Sequence, residues 1–327
     1  MKLLVTGGLG FIGSNFILDI IQNHDDFKVI NVDDQLYGSN HQNLSDIQDS
    51  KNYRFVKGNI TNETLIEKLV SDCDIVVNFA AESHVDRSIS SPRSFIQSNI
   101  FGVFNILESL RKFDKKMIQI STDEVYGSLK SGSADEEYKY NPSSPYSSSK
   151  ASAELIIKSY VKTYGIKVIV TRCTNNFGPR QHPEKFIPRI ILFARKNKKI
   201  PIYGSGKAIR DWIFVNDHCK AISKIIQKGK WGETYNISTN NEINNLSIVK
   251  NLLKILGKPS DMILHTEDRP GHDLRYSLDS SKISKNLKWR AEFDFHEALK
   301  LTVQWYLENE YIWKNLSSDS LKNTPWK

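Results

Sequence analysis

The chain has 327 residues, of which 39% are hydrophobic and 25% charged, with a formal net charge of +8 at pH 7. That is an ordinary globular composition, enough for one large core or two modest ones, and no run of about 18 apolar residues is present to span a membrane. The lysines lie in short scattered groups such as Lys115-Lys116 and Lys196 to Lys199, without a basic stripe and interleaved aromatics, so a solvated surface is expected rather than a nucleic-acid partner.

The apolar start is broken at once by glycines and polar residues, so no signal peptide is expected. Lys2-Leu3-Leu4-Val5-Thr6 reads as a strand, and Gly7-Gly8-Leu9-Gly10-Phe11-Ile12-Gly13 leads from it into a helix carrying Phe16, Ile17, Ile20 and Ile21. Glycines at these positions allow a tight turn, close approach of backbone to a pyrophosphate and helix-strand packing, while the helix N-terminus offers amide donors. Twenty residues beyond Gly13, the apolar run Val29 to Val32 ends in Asp33. An acid there accepts hydrogen bonds from ribose hydroxyls and repels a 2′-phosphate. No Arg follows in Asp34-Gln35-Leu36-Tyr37, so the expected cofactor is NAD rather than NADP.

Strands follow at Tyr53 to Val56, Ile75 to Ala80, Met117 to Ile120 and Val168 to Thr171, with helices at Thr64 to Val70, Pro92 to Lys112 and Ser144 to Tyr164. Such alternation predicts an α/β fold with a doubly wound parallel sheet, a Rossmann-type NAD-binding domain over residues 1–172. Beyond Cys173 the rhythm loosens among Gly178-Pro179, Pro183, Pro188, Pro201 and Gly204-Ser205-Gly206, so residues 173–327 read mainly as a smaller substrate-binding region. Trp212 to Val215 and Thr234 to Ile237 are candidates to return to the main sheet. Cys73, Cys173 and Cys219 fit no metal spacing and read as reduced thiols of a cytoplasmic protein. The polar end from Ser317 to Lys327 is expected to fray.

The chemistry concentrates between Ser121 and Lys150. Thr122, Asp123 and Glu124 follow the strand Met117 to Ile120, placing them where open α/β sheets bind ligands. Ser144 and Pro145 then carry a helix-start signature. Tyr146 and Lys150 are four apart and share a helical face, so the ammonium is expected to lower the phenol's pKa and fit it to act as a base. Tyr-x-x-x-Lys arises often by chance as a surface pair; its company after a dinucleotide fingerprint gives it weight.

Seven further blocks accompany Thr6 to Ser14. They are Ala80-Ala81-Glu82-Ser83-His84-Val85-Asp86-Arg87-Ser88, Ser121 to Gly127, Tyr146 to Lys150, Thr171 to Pro179, Pro183 to Pro188, Arg210-Asp211-Trp212 and Asp268-Arg269-Pro270-Gly271-His272-Asp273. With them the chain resembles, over nearly its whole length, the extended short-chain dehydrogenase/reductases, and within these the nucleotide-sugar 4,6-dehydratases. The resemblance implies a hydro-lyase of deoxysugar biosynthesis, as in rhamnose formation, acting on dTDP-glucose with bound NAD as a cytoplasmic homodimer. It assigns Tyr146 as base at C4, Lys150 and Thr122 as positioning groups, Glu124 as the base at C5 and Asp123 as the acid at the C6 hydroxyl. Gly7, Gly10, Phe11, Ile12, Gly13, Asp33, Asn59, Ile60, Ala80, Ala81, Ser83, Tyr146, Lys150 and Asn176 are the implied cofactor contacts. Ser83, His84, Thr122, Asn175, Lys185, Phe186, Pro201, Tyr203, Arg210, Asn245, His272 and Arg275 are the implied substrate contacts, the two arginines apt for a diphosphate.

The family usually has Gly-Asp-Ile where this chain has Gly58-Asn59-Ile60, so Asn59 would accept from the adenine amine without a charge. Gln181-His182 and Phe186 sit where the family varies, near the nucleobase. UDP-glucose is the alternative substrate, and same-fold epimerases and decarboxylases share the Tyr/Lys pair but not Asp123-Glu124. A silent NAD-binding scaffold would be expected to lose one of these groups. For the homodimer, the implied interface is the helix pair Pro92 to Lys112 and Ser144 to Tyr164, with Phe95, Ile96, Ile100, Phe104 and Leu107 at helical spacing on the first.

Overall fold

The structure, a computed structural model, describes residues 1–268, 270–314 and 316. Arg269 and the segment Ser317 to Lys327 lie outside the described residues. The chain begins β1 (Lys2–Thr6), α1 (Phe11–Asn23), β2 (Lys28–Asp33), β3 (Tyr53–Lys57), α2 (Glu63–Ser71), β4 (Ile75–Asn78) and α3 (Val85–Ser90). A broken helix follows, as α4 (Arg93–Ile96), a π turn (Gln97–Phe101) and α5 (Gly102–Phe113). Next come β5 (Lys116–Thr122), a 3-10 turn (Asp123–Tyr126), α6 (Pro145–Tyr164), β6 (Lys167–Cys173) and β7 (Asn175–Phe177). The remainder holds α7 (Phe186–Arg195), β8 (Ile200–Tyr203), β9 (Ile209–Phe214), α8 (Val215–Lys228), β10 (Thr234–Ile237), β11 (Glu242–Asn244) and α9 (Asn245–Ile255). It closes with β12 (Ile263–Thr266), α10 (Ser281–Leu287), α11 (Phe295–Glu308) and α12 (Tyr311–Lys314).

Seven strands form one sheet in the order β10-β6-β5-β4-β1-β2-β3, every pairing parallel. The chain runs outward from β1 to β3, returns to β4 beside β1, and then builds the other half. Helices cover both faces, which is why β1, β4 and β5 are nearly continuous apolar runs. Alternate residues go to opposite faces: Leu3 and Val5 pack with Ile17, Ile222 and Ile225, whereas Leu4 packs with Val76, Ile106 and Leu110.

Thr234 to Ile237, as β10, is an edge of this sheet, but the Trp212 strand is not part of it. β9 pairs with β7 and β11 in a separate three-stranded sheet, and β8 with β12 in a two-stranded one. Those small sheets enclose a second core of Ile191, Trp212, Leu252, Leu299 and Tyr306, with α7, α9 and α11. The three thiols are free and buried.

Local signals decide several boundaries. Ser144 caps α6 in a reciprocal capping box with Ser147, Pro145 takes the first turn, and Gly165 ends the helix in the left-handed region at φ 67°. The helix expected from Pro92 to Lys112 is interrupted by the π turn. There Asn99, buried, gives its amide to Ser149 Oγ at 2.9 Å and to the Glu82 carbonyl at 3.0 Å. An extra residue per turn lets that side chain reach inward, and helical periodicity alone carries no mark of it.

His218 on α8 is fully buried, its Nδ1 2.9 Å from Asn176 Oδ1, and burial pushes its pKa from 6.5 down to about 3. The unfolded chain therefore takes up a proton below pH 6.5 that the folded chain refuses, and stability falls as pH drops from 6.5 toward about 3. We expect wild-type unfolding free energy, from denaturant titrations between pH 7 and 4, to fall more steeply than that of His218→Gln. The difference should approach about 1.4 kcal/mol per pH unit.

Candidate active site

The sheet's reversal point between β1 and β4 opens into a cleft of about 340 Å³. Gly7 leaves β1 at φ +69°, and a β-carbon on it would lie 2.7 Å from both Cα and N of Ala80 beyond β4. A β-carbon on Gly13 would come within 2.5 Å of the Gly7 carbonyl oxygen, so both glycines are required by space. α1 starts at Gly10 with no side chain capping its first turn, leaving amides directed at the cleft. Asp33 closes this corner by accepting from the amides of Leu9 (3.0 Å) and Gln35 (2.8 Å) and from Ser39 Oγ (2.8 Å). A glycine cradle, uncapped helix amides and a buried acid fit the diphosphate and ribose of a dinucleotide.

The other cofactor candidates, Phe11, Ile12, Ile60, Ala80, Ala81, Ser83 and Asn176, line the same cleft. So does Asn59, but its amide oxygen is taken by Thr61, from the backbone at 2.8 Å and the hydroxyl at 2.7 Å. Asn before a turn satisfies its own backbone in this way. Its Nδ2 donates instead to Asp34 Oδ2 at 2.8 Å, so the carboxylate beside Asn59 comes from residue 34.

At the far end, β5 and α6 bring the reactive groups together. Thr122, Asp123, Glu124, Tyr146 and Lys150 all line the cleft. Thr122 caps the 3-10 turn by accepting from the Glu124 amide. Lys150 Nζ donates to the Ile120 carbonyl at 2.7 Å. Burial lowers its pKa to about 8. The expectation that Lys150 depresses the phenol fails for the protein's own groups. Burial, then the nearby Glu124 charge, push Tyr146 well above the ordinary tyrosine value, opposed by the neighbouring Thr122 hydroxyl. Asp123 is likewise pushed well above the carboxylate range, by burial and by Glu124 against the opposing charge of Arg210. Its Oδ1 accepts from Thr122 at 3.2 Å, while Oδ2 is buried without a hydrogen-bond partner. That is the environment of a neutral carboxylic acid with a proton to give.

The substrate candidates divide. Ser83, His84, Asn175 and Lys185 line the cleft; Lys185 Nζ donates to the Ser83 carbonyl at 2.8 Å, and His84 Nε2 lies 2.7 Å from Glu184 Oε1. Arg210 is buried close enough to act on Asp123, and it donates to the Asp273 carbonyl at 2.8 Å. Phe186, Pro201, Tyr203, Asn245, His272 and Arg275 are not among the residues lining the cleft. Phe186 stacks on Trp212, Tyr203 donates to Asp86 at 3.3 Å, and His272 pairs with Asp268 at 2.6 Å. Arg275 is held in a two-pronged pair with Glu242, both contacts 2.6 Å. Sequence reasoning missed Tyr37 and Glu184 at the cleft wall; Glu184, pushed up to about 7 by burial, sat inside the Pro183 to Pro188 block.

Fold and site together define an extended short-chain dehydrogenase/reductase. The chain belongs to the family described as GDP-mannose 4,6 dehydratase, whose model matches residues 4–302. It is 42% identical over 320 residues to the dTDP-glucose 4,6-dehydratase of Mycobacterium tuberculosis, covering 97% of this chain and 96% of that one. The dTDP-glucose 4,6-dehydratase DesIV of Streptomyces venezuelae, solved with NAD and TYD bound, superimposes with a TM-score of 0.95 at 40% identity, covering 97% and 100% of the two chains. The UDP-glucose 4-epimerase of Thermotoga maritima, solved with UDP-glucose, matches with a TM-score of 0.87 at 30% identity over 94% and 99%. The shared fold thus accommodates more than one reaction, and the site must distinguish them.

The protonation state of Asp123 is directly observable. Infrared difference spectra near pH 7, wild type minus Asp123→Asn, should show the carbonyl stretch of a protonated carboxyl group. Its absence would mean that Asp123 is ionised.

Proposed function

We propose that the protein is an NAD-dependent 4,6-dehydratase that converts dTDP-glucose to dTDP-4-keto-6-deoxyglucose and water. The observation that carries this reading is the turn Thr122-Asp123-Glu124 set against Tyr146 and Lys150, with Asp123 buried and biased toward its protonated form. An epimerase or decarboxylase needs only the Tyr/Lys half. Relatives named for dTDP-glucose favour that nucleotide, and UDP-glucose is the comparison substrate.

Gly7, Gly10, Phe11, Ile12, Gly13 and Asp33 would hold NAD, with Ala80, Ala81, Ser83 and Asn176 along its length. When bound, NAD supplies a hydride acceptor that also returns the hydride, together with a positively charged ring. Tyr146 takes the proton from the C4 hydroxyl, with Thr122 and Lys150 fixing the phenol and the local charge. Ketone formation at C4 makes the C5 hydrogen acidic. Glu124 removes it as Asp123 protonates the departing C6 hydroxyl; environments that push two neighbouring carboxyls apart allow these opposite roles. Asn175 and Lys185 from the cleft wall, with Arg210 behind Asp123, are placed to receive the sugar nucleotide. In this reading residues 1–172 hold the cofactor and residues 173–327 mainly the substrate. Among the described residues no helix is long and apolar enough to cross a membrane, and three buried free thiols suit a reducing cytoplasm, where the product would feed deoxysugars such as rhamnose.

We expect turnover of dTDP-glucose to a 4-keto-6-deoxy sugar, faster than UDP-glucose, without added cofactor. Tyr146→Phe should lose at least about 10²-fold in turnover and form no NADH. Glu124→Gln should accumulate enzyme-bound NADH absorbance and incorporate solvent deuterium at C5 slowly or not at all. Normal turnover by Glu124→Gln would refute the assigned roles.

The same proposal includes a homodimer through the helices Pro92 to Lys112, broken here into α4, the π turn and α5, and Ser144 to Tyr164, α6. Phe95 and Leu107, expected at the interface, are buried in the core, but Ile96, Phe104, Phe101, Leu155 and Tyr164 are 40%, 41%, 58%, 53% and 48% exposed. Such a patch on neighbouring helices suits a second copy across a two-fold axis. Light scattering at micromolar concentration should give a dimer mass for wild type and a monomer mass for Phe101→Glu/Phe104→Glu.

A further inference from the structure

α6 carries a third polar group on the stripe that holds Tyr146 and Lys150. Glu154 lies one turn beyond Lys150, is 1% exposed, and has no part in the proton transfers above. Its Oε1 accepts from Ser121 Oγ at 2.5 Å. Its Oε2 accepts from Arg172 Nε at 2.9 Å, Arg172 Nη2 at 2.6 Å and the Tyr140 hydroxyl at 3.0 Å. Arg172 on β6 is fully buried, and its Nη1 donates to the Tyr126 hydroxyl and, at 3.0 Å, to the Glu136 carbonyl.

These contacts bracket the acid pair. Ser121 immediately precedes Thr122, and Tyr126 closes the 3-10 turn on which Asp123 and Glu124 sit. Both ends of the Thr122–Val125 segment therefore converge on one buried ion pair, Ser121 through Glu154 and Tyr126 through Arg172. Lys150 adds a rung one residue earlier by binding the Ile120 carbonyl. Such a pair, with every donor and acceptor engaged, resists displacement because any movement would leave a charge buried and unmatched.

We infer that Glu154 and Arg172 act, through Ser121 and Tyr126, as positioning residues for Asp123 and Glu124, holding the two carboxyls in register with Tyr146 for water elimination. This rests on the dehydratase reading. Tyr146 and Lys150, on which oxidation at C4 depends, stand on α6 outside the Thr122–Val125 segment, so loosening the bracket should slow elimination more than oxidation.

The test uses Tyr126→Phe and Ser121→Ala, which each delete one hydroxyl and keep the ion pair intact, with Ser121→Thr as the variant that restores a hydroxyl. Wild-type turnover of dTDP-glucose tests the dehydratase reading by itself. Given that turnover, we expect kcat to fall roughly 10- to 100-fold in Tyr126→Phe and Ser121→Ala, the scale of a small misplacement of a reacting group. KM should stay within about two-fold, because the binding contacts lie elsewhere. Bound NADH should rise in the steady state, C5 deuterium incorporation should slow, and Ser121→Thr should recover most of the rate. The inference is overturned if both hydroxyl-deleting variants keep wild-type kcat and C5 exchange, whatever their melting temperatures. It is equally overturned if they stall before NADH forms, as Tyr146→Phe is expected to do.

Discussion

Between the ends of β1 and β4 there is no room for a side chain. Gly7 turns away from the sheet with its α-carbon pressed against the Ala80 backbone, and Gly13 brings α1 back against the Gly7 carbonyl. This contact sits where the strand order reverses, so the sheet parts there and the helix amides, the Asp33 corner and the β5 terminus open into one cleft. Any residue larger than glycine at position 7 would move β4 or the helix, and with either the geometry of everything lining the crevice.

Charge at the reactive end is governed by desolvation more than by pairing. Thr122, Asp123, Tyr146 and Lys150 are all nearly sealed from water, and burial is the largest influence on the three that titrate. It disfavours the carboxylate, the phenolate and the ammonium alike, lowering Lys150 and raising Asp123 and Tyr146. Glu124 reinforces this from beside them.

Where function was written in local chemistry, the sequence was easy to read. The glycine turn, the acid after β2, the α6 cap and the Tyr146/Lys150 spacing each follow from interactions within a few residues, and the structure places the glycines, the acid and the Tyr146/Lys150 pair at the cleft. Long-range partners were less legible. The pairing of Arg275 with Glu242, 33 positions away, and of β9 with β7 and β11 depends on packing of the second core, which no short pattern encodes. The π turn was invisible for another reason: it alters which residues face inward without changing composition. Phe95, on α4 before the turn, is 1% exposed, and Phe104, on α5 beyond it, is 41% exposed. Asn59 shows the reverse case: its amide donates to a neighbour, Asp34, whose carboxylate no short pattern placed there.

The three thiols occupy widely separated parts of the molecule: Cys73 after α2, Cys173 at the end of β6 beside the reactive groups, and Cys219 within α8. Burial pushes Cys73 and Cys173 up to about 12 and Cys219 well above the ordinary thiol value, so none offers a thiolate to solvent while its surroundings stay closed. A thiol-directed reagent therefore meets no reactive chemistry in the native fold and can proceed only as fast as each region opens. The chain carries three built-in clocks, one behind the second helix, one under the catalytic floor and one in the opposite layer, whose separate rates would map which part of the fold breathes first.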